Sequence, residues 1–129
     1  MFHINIASLS LHWNDLKTVL SILDHQFDII AITETKIIEN IQPITNFSLE
    51  GYNFEYTPTK NDKGGVGIFF KKDFECEKRD DLSKSVKNVA ESVFIEVKSK
   101  ETKNLLIGCI YRHHNSIQEF NSTFLMIYF

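Results

Sequence analysis

The sequence predicts a mixed α/β (α+β) fold, and two observations carry that expectation: a strand, helix and strand in the first third, and a later part whose apolar runs pair off across turn residues. Phe2 to Ala7 is a short apolar run ending in small polar residues, which predicts a strand beginning almost at the first residue. Trp13, Leu16, Leu20 and Leu23 then recur at helical spacing, with Ser10 or Asn14 available as cap and Asp24-His25 ending the pattern. Phe27 to Thr33 is apolar apart from Asp28, rich in Ile and too short for a second helix, so it predicts a fully buried strand. Two strands joined by a crossover helix pair in parallel with a right-handed connection, which brings both carboxyl ends to one edge.

Beyond Glu34 the pattern loosens into a loop through Glu39 to Pro43, and Gly51 to Tyr56 then alternates as a half-buried strand does. Asp62-Lys63-Gly64-Gly65 is a turn signal leading into Val66 to Phe70, so Tyr52 to Phe70 predicts an antiparallel pair. Charge clusters at Lys71-Lys72-Asp73 and Glu77 to Asp81, which predicts a solvated connection. Val93, Ile95 and Val97 alternate, Leu105 to Tyr111 is denser, and the polar stretch Lys98 to Lys103 joins them as a hairpin. From Ser116 a helix is expected, capped by Asn115 or Ser116, with Ile117, Phe120 and Phe124 on one face. The run Phe124 to Phe129 is bare and apolar, a sticky surface unless something covers it. One domain over residues 1–129 is therefore expected, truncated, with its covering half missing.

Composition sets limits on function. The 129 residues are 43% hydrophobic and 12% aromatic, enough for one packed core and too apolar for disorder. Fourteen Lys and Arg against 17 Asp and Glu leave a net charge of −3, so contact with a polyanion has to be local. The opening Met-Phe-His-Ile-Asn lacks the basic flank and apolar core of a secretory leader, and no run reaches the ~18 apolar residues of a membrane span. The expected location is intracellular, nuclear or cytoplasmic, and not secreted. Cys76 and Cys109 are accordingly expected as buried free thiols.

The two strand ends of the opening unit carry Asn5 and Glu34. Ligands of open α/β sheets bind at the carboxyl ends of strands, and a charge directly after a buried run calls for a partner, for which a divalent metal is one candidate. A solvated Glu at a loop start is the ordinary alternative. Gly64-Gly65-Val66-Gly67 lacks the Gly-Lys-Ser/Thr of a phosphate cradle and fits a turn. The Lys71-Lys72 and Lys78-Arg79 pairs are interleaved with acids and fit a solvated face. His113-His114 makes a poor zinc site, because neighbours on extended chain point to opposite faces. Glu91 flanks an apolar strand, with edge solvation as its default and support of the site as the alternative.

Asn5-Ile6-Ala7-Ser8-Leu9, Thr33-Glu34-Thr35, Gly51-Tyr52, Gly64-Gly65-Val66-Gly67-Ile68, Glu91 to Glu96, Ile110-Tyr111-Arg112 and Asn115-Ser116 follow one another in a familiar order. Together they resemble the endonuclease/exonuclease/phosphatase superfamily. Within it the chain is most similar, from about Ile4 to Phe124, to the N-terminal part of the apurinic-type endonuclease of LINE-type (non-LTR) retrotransposons. The resemblance implies that Asn5 lies beside the metal and scissile phosphate, that Glu34 is the metal ligand, and that Tyr111 hydrogen-bonds the phosphate. Arg112 and Asn115 then belong to the substrate-binding loop, where His113-His114 replaces the prolines usual in the family and alters the loop's stiffness. Mg²⁺ is the implied cofactor, with Mn²⁺ as its substitute, and DNA is the implied partner.

The fold implied is the first half of a four-layer α/β/β/α sandwich, with one sheet and part of its helical cover present. The activity implied is Mg²⁺-dependent nicking of a DNA phosphodiester. The family's later Asp-x-Asn and Ser-Asp-His motifs, which supply the water-orienting acid, the oxyanion amide and the phosphate-contacting histidine, are absent, so this chain alone is expected to be inactive. A C-terminal half or a reverse transcriptase region of the same polyprotein is the corresponding partner. Two other readings stay open: a superfamily phosphatase of small or lipid phosphoesters, and a non-catalytic relic or interaction fragment.

Overall fold

The computed structural model describes residues 1–127. In chain order its elements are β1 (Phe2–Asn5), α1 (Trp13–Leu23), β2 (Ile29–Thr33), β3 (Tyr52–Thr57), β4 (Val66–Lys71), β5 (Cys76–Lys78), β6 (Ser85–Val86), β7 (Ala90–Val97), β8 (Leu105–Arg112) and α2 (Ile117–Glu119). The opening unit forms as its sequence predicts. β1 and β2 pair in parallel, Phe2 opposite Ile30 and Asn5 opposite Thr33. β4 joins β2 antiparallel and β3 joins β4, giving the order β1-β2-β4-β3.

A second sheet forms as well, which corrects the expectation of one. β7 pairs along its whole length with β8, from Ala90 opposite Arg112 to Val97 opposite Leu105, and takes β5 and β6 on its other side. Its β7–β8 hairpin is the pair that the sequence predicts, whereas β5 and β6, only three and two residues long, leave no pattern. β5 also lies in the charged stretch expected to be a solvated connection; its Lys78 and Arg79 pair with Asp80 and with Asp81 and Glu96. Such short strands add few hydrogen bonds, but they cover the flank of β7 that would otherwise be an open edge.

Two apolar layers hold these elements together. Between α1 and the first sheet lie Ile6, Leu9, Trp13, Leu16, Ile30, Ile32, Ile37 and Phe69. Between the sheets lie Ile29, Ala31, Val66, Ile68, Phe70, Val93, Ile95 and Cys109. β2 is thus covered on both faces, which is why its sequence is continuously apolar rather than alternating. It begins at Ile29, two residues later than expected, because Asp28 turns outward to pair with Lys71 Nζ at 2.9 Å. β1 likewise stops at Asn5, since Ala7 and Ser8 take positive φ of 55° and 146°.

The helix ends also differ from expectation. α1 is capped at His12 with no side-chain bond, and it is the Ser8 hydroxyl that accepts Leu11 N–H at 3.3 Å, so neither Ser10 nor Asn14 serves as cap. Burial of Leu9 and Trp13 fixes that entry turn, which overrides local capping preference. The other end follows expectation, with Asp24 closing α1 in the left-handed region at φ 46°. After Ser116, α2 widens into a π turn over Phe120–Phe124 and tightens into a 3-10 turn over Leu125–Ile127. The widened turn buries Phe124 completely against Val89 and Ala90 but leaves Ile117 exposed, so the expected common face of Ile117, Phe120 and Phe124 is not formed. The last two residues of the apolar run, 128 and 129, lie outside the described residues. Among the described residues no helix is long and apolar enough to cross a membrane.

Both cysteines are free thiols. Burial pushes the Cys109 thiol up to about 12, and its S–H donates to the Ile32 carbonyl at 3.6 Å, whereas Cys76 is only half-buried. Titration with a chromogenic disulfide at pH 8 should therefore find one reactive thiol in the native protein and two in urea. Equal rates for both in the native state would contradict the sheet packing.

Candidate functional site

Parallel pairing of β1 and β2 sets Asn5, the last residue of β1, beside the turn that follows β2. Across that gap Asn5 Nδ2 donates to Glu34 Oε1 at 2.8 Å, while Asn5 Oδ1 accepts Ala7 N–H at 3.2 Å. The amide is thereby oriented from both ends, with its N–H₂ toward the carboxylate. Directly beyond both strands the backbone leaves ordinary conformations: Ala7, Ser8, Glu34 and Lys36 all have positive φ. Non-glycine residues sit there only when their surroundings overdetermine them.

The surroundings here are a ladder of main-chain bonds. Ile6 N–H reaches the Thr33 carbonyl at 3.0 Å and Leu9 N–H the Thr35 carbonyl at 2.9 Å. On the other side Thr35 N–H reaches the Gly65 carbonyl at 3.1 Å and Lys36 N–H the Gly64 carbonyl at 2.8 Å. The Glu34 turn is stitched between two loops. Gly64 and Gly65 can provide this seat because their φ values of 92° and 85° exclude most side chains. They form a turn into β4, as the sequence predicts.

The second sheet brings Tyr111 to the same place. Ile107, Cys109 and Tyr111 alternate on the inward face of β8, which packs over β2 and β4. Burial raises the pKa of the Tyr111 phenol, and the charge and hydrogen bonding of Glu34 beside it add to the effect. The phenol is therefore held protonated at neutral pH, a donor placed next to a carboxylate. Asn5, Glu34 and Tyr111 are thus brought together. Arg112 and Asn115 are not bonded to them among the described residues: Arg112 is exposed on the outward face of β8, and Asn115 stands exposed at φ 61° in the turn beyond.

Glu91 overturns the expectation of edge solvation. Its side chain on β7 is 0% exposed, and it collects donors from three segments. His113 Nε2 lies 2.9 and 3.0 Å from its two oxygens, Gly65 N–H 3.3 Å from Oε2, and the Thr59 hydroxyl 2.9 Å from Oε1. A carboxylate this deep is tolerated only with such partners. The signal was present in the sequence, since Glu91 shares the parity of Val93 and Ile95 and therefore their inward face. His113 and His114 do point apart, His113 buried and His114 exposed, but the buried ring serves Glu91.

Among the described residues no three His, Cys, Asp or Glu side chains converge to enclose a metal. Glu34 is half-buried beside the exposed Asn5, and a carboxylate offers about four lone-pair positions, of which the Asn5 amide takes one and the Tyr111 phenol another. That donor set does not suit zinc. It fits a hard cation such as Mg²⁺, which binds through one or two carboxylates and retains most of its water. β1 and β8 each have a single neighbouring strand among the described residues.

No protein-family model and no curated protein matches this sequence. Solved structures do match the fold. The crystal structure of the AP endonuclease LMAP from Leishmania major superposes with a TM-score of 0.70 at 13% identity, covering 98% of this chain and 45% of that one. The catalytic domain of Xenopus laevis APE2 gives 0.51 at 21% identity, covering 86% and 43%. The fold is therefore the two-sheet α/β architecture of AP endonucleases, and the chain spans less than half the length of either structure.

Proposed function

We propose that Asn5, Glu34 and Tyr111 form the metal-holding and phosphate-gripping half of a phosphodiesterase site acting on DNA, of the kind that nicks target DNA for a non-LTR retrotransposon. The observation that carries this reading is the 2.8 Å bond from Asn5 to Glu34, at adjacent carboxyl ends of parallel strands, with the Tyr111 phenol beside the same carboxylate. The likeness to two structures named as AP endonucleases supports it, as does the order of short motifs from Asn5 to Asn115.

Each residue type has a physical task. Glu34 would hold Mg²⁺, or Mn²⁺ in its place, and the ion would neutralise charge developing on the phosphate during hydrolysis. Asn5 keeps one carboxylate oxygen occupied and so fixes which face of Glu34 is free. Tyr111, protonated at neutral pH, can donate to a non-bridging phosphate oxygen without adding negative charge. Arg112 and Asn115, both exposed within four residues of Tyr111, would meet flanking backbone phosphates. Hydrolysis further requires a group that takes the proton of the attacking water, and the 129 residues hold neither an Asp-x-Asn nor a Ser-Asp-His motif.

The chain by itself should therefore bind Mg²⁺ and leave DNA intact. In a titration followed by nuclear magnetic resonance, the Asn5 side-chain amide should shift with Mg²⁺, and Glu34→Ala should abolish the shift. Absence of any Mg²⁺ response in the unsubstituted, folded protein would sink the reading. Supercoiled plasmid incubated with protein and Mg²⁺ should stay supercoiled, whereas EDTA-sensitive relaxation lost in Glu34→Ala would show that the site closes without the absent motifs.

A further inference from the structure

We propose that Glu91 and His113 form a buried positioning pair that ties the Glu34 turn to the Tyr111 loop, so that the His113 ring sets where Tyr111 stands relative to Glu34. The inference rests on the reading that Glu34 and Tyr111 share one site. It adds the device that keeps them in register, at the position where the chain carries His113-His114.

The three donors gathered by Glu91 belong to three parts of the rim. Gly65, whose N–H meets Oε2 at 3.3 Å, also carries the carbonyl that seats Thr35 N–H at 3.1 Å, one residue from Glu34. Thr59, whose hydroxyl lies 2.9 Å from Oε1, exchanges main-chain bonds with Ile37 and Glu39, just past Glu34. His113 comes from the other sheet, two residues past Tyr111, and its ring meets the Tyr111 ring edge-on with centroids 5.2 Å apart. Glu91 also stands opposite Tyr111 in the β7–β8 register. One carboxylate thus touches two segments bonded to the chain around Glu34 and the segment that follows Tyr111.

The fit around the pair is close. A Cβ at Gly64 would stand 2.6 Å from Glu91 Oε2 and 2.9 Å from His113 Nε2, so the carboxylate and the ring lie directly against bare backbone. The main chain of His113 has its own anchors. His113 N–H reaches the Val89 carbonyl at 2.8 Å, and the Ser116 hydroxyl lies 2.7 Å from the His113 carbonyl. The ring is therefore not needed to complete the turn; its specific contacts are Glu91 and Tyr111.

The test compares His113→Phe, which keeps a flat ring and loses the donor, with His113→Gln, which keeps a donor. Proximity of the Tyr111 ring to the Glu34 side chain is read from nuclear Overhauser contacts, and Mg²⁺ affinity from the Asn5 side-chain amide. His113→Phe should lose the Tyr111 to Glu34 contact and bind Mg²⁺ roughly tenfold more weakly, with substantial rescue in His113→Gln. If His113→Phe melts at lower temperature but retains that contact and the Mg²⁺ affinity, the pair is only a packing feature and the proposal is overturned. Should His113→Phe not fold, the unsubstituted chain decides: its His113 Nε2 resonance should move with the Asn5 amide as Mg²⁺ is added, and a stationary His113 signal refutes the coupling. If the unsubstituted chain ignores Mg²⁺ altogether, the functional reading fails, while the Tyr111 to Glu34 contact in His113→Phe still decides the role of the pair.

Discussion

Phe69→Ala should destabilise the protein by about 3–5 kcal/mol, the range for removing a fully buried aromatic ring from a core that cannot collapse around the gap. Phe69 is 0% exposed on β4, in the middle of the first sheet, and faces α1. Its ring stacks on Phe54 with centroids 4.2 Å apart and lies 6.0 Å from Trp13, so two aromatic side chains lose a common neighbour when it is removed. Collapse is blocked from the side as well. Phe54 lies over Gly67, where an added Cβ would come 2.7 Å from its Cζ, so that ring is already pressed against backbone and cannot slide to fill the space. With total stability of small domains near 5–15 kcal/mol, urea unfolding should show a midpoint lowered by about a fifth or more at unchanged slope. Leu23→Ala, at a side chain that is 46% exposed on α1, serves as the reference and should cost under ~1 kcal/mol. A Phe69→Ala loss as small as that of Leu23→Ala would mean that the layer between α1 and the sheet is not packed as described.

The same packing explains which parts of the molecule can be read from its sequence. Strong periodicity survives tertiary context: Trp13 and Leu16 make α1, the continuous run from Ile29 to Thr33 makes a strand covered on both faces, and the β7–β8 hairpin follows from its alternation. Elements too short to have a period do not show. β5 and β6 exist because β7 offers them an edge, and nothing inside three or two residues announces that. The helix after Ser116 was legible as a helix but not in its winding, since a π turn moves Phe124 inward and Ile117 outward relative to ideal spacing.

The site divides along a similar line. Asn5 and Glu34 were legible because strand ends of a parallel pair must be neighbours, and the structure joins them directly. Tyr111 was suggested by resemblance alone, and its place beside Glu34 depends on sheet-on-sheet packing that no local pattern encodes. Glu91 departs from the solvation usual for a charge at a strand end, and its parity with Val93 points inward. A buried carboxylate is informative because its partners must be found, and here the search leads to His113, Thr59 and Gly65.

Gly65→Ala should cost about 2–5 kcal/mol and should disturb the Glu34 turn first. Two effects add at this position. An L-residue held at φ 85° is strained by roughly 1–2 kcal/mol, and the new methyl would collide with the Thr35 hydroxyl, a displacement worth about 1–3 kcal/mol in a packed setting. Thr35 is itself 1% exposed and its hydroxyl accepts Ile37 N–H at 3.3 Å, so it has nowhere to go without releasing the segment that carries Glu34. Gly51→Ala separates the two effects, because Gly51 has a similar φ of 82° and nothing within 4 Å of its missing Cβ. That variant should lose only the conformational part, roughly 1–2 kcal/mol, and leave the Asn5 and Glu34 resonances unmoved. In Gly65→Ala the extra loss should appear together with faster amide exchange at Thr35 and Lys36, whose N–H groups bond the Gly65 and Gly64 carbonyls. Equal destabilisation of the two alanine variants, with Thr35 and Lys36 still protected, would show that the turn bearing Glu34 does not lean on Gly65. The strain at Glu34 would then have to be held by the chain after β1 alone.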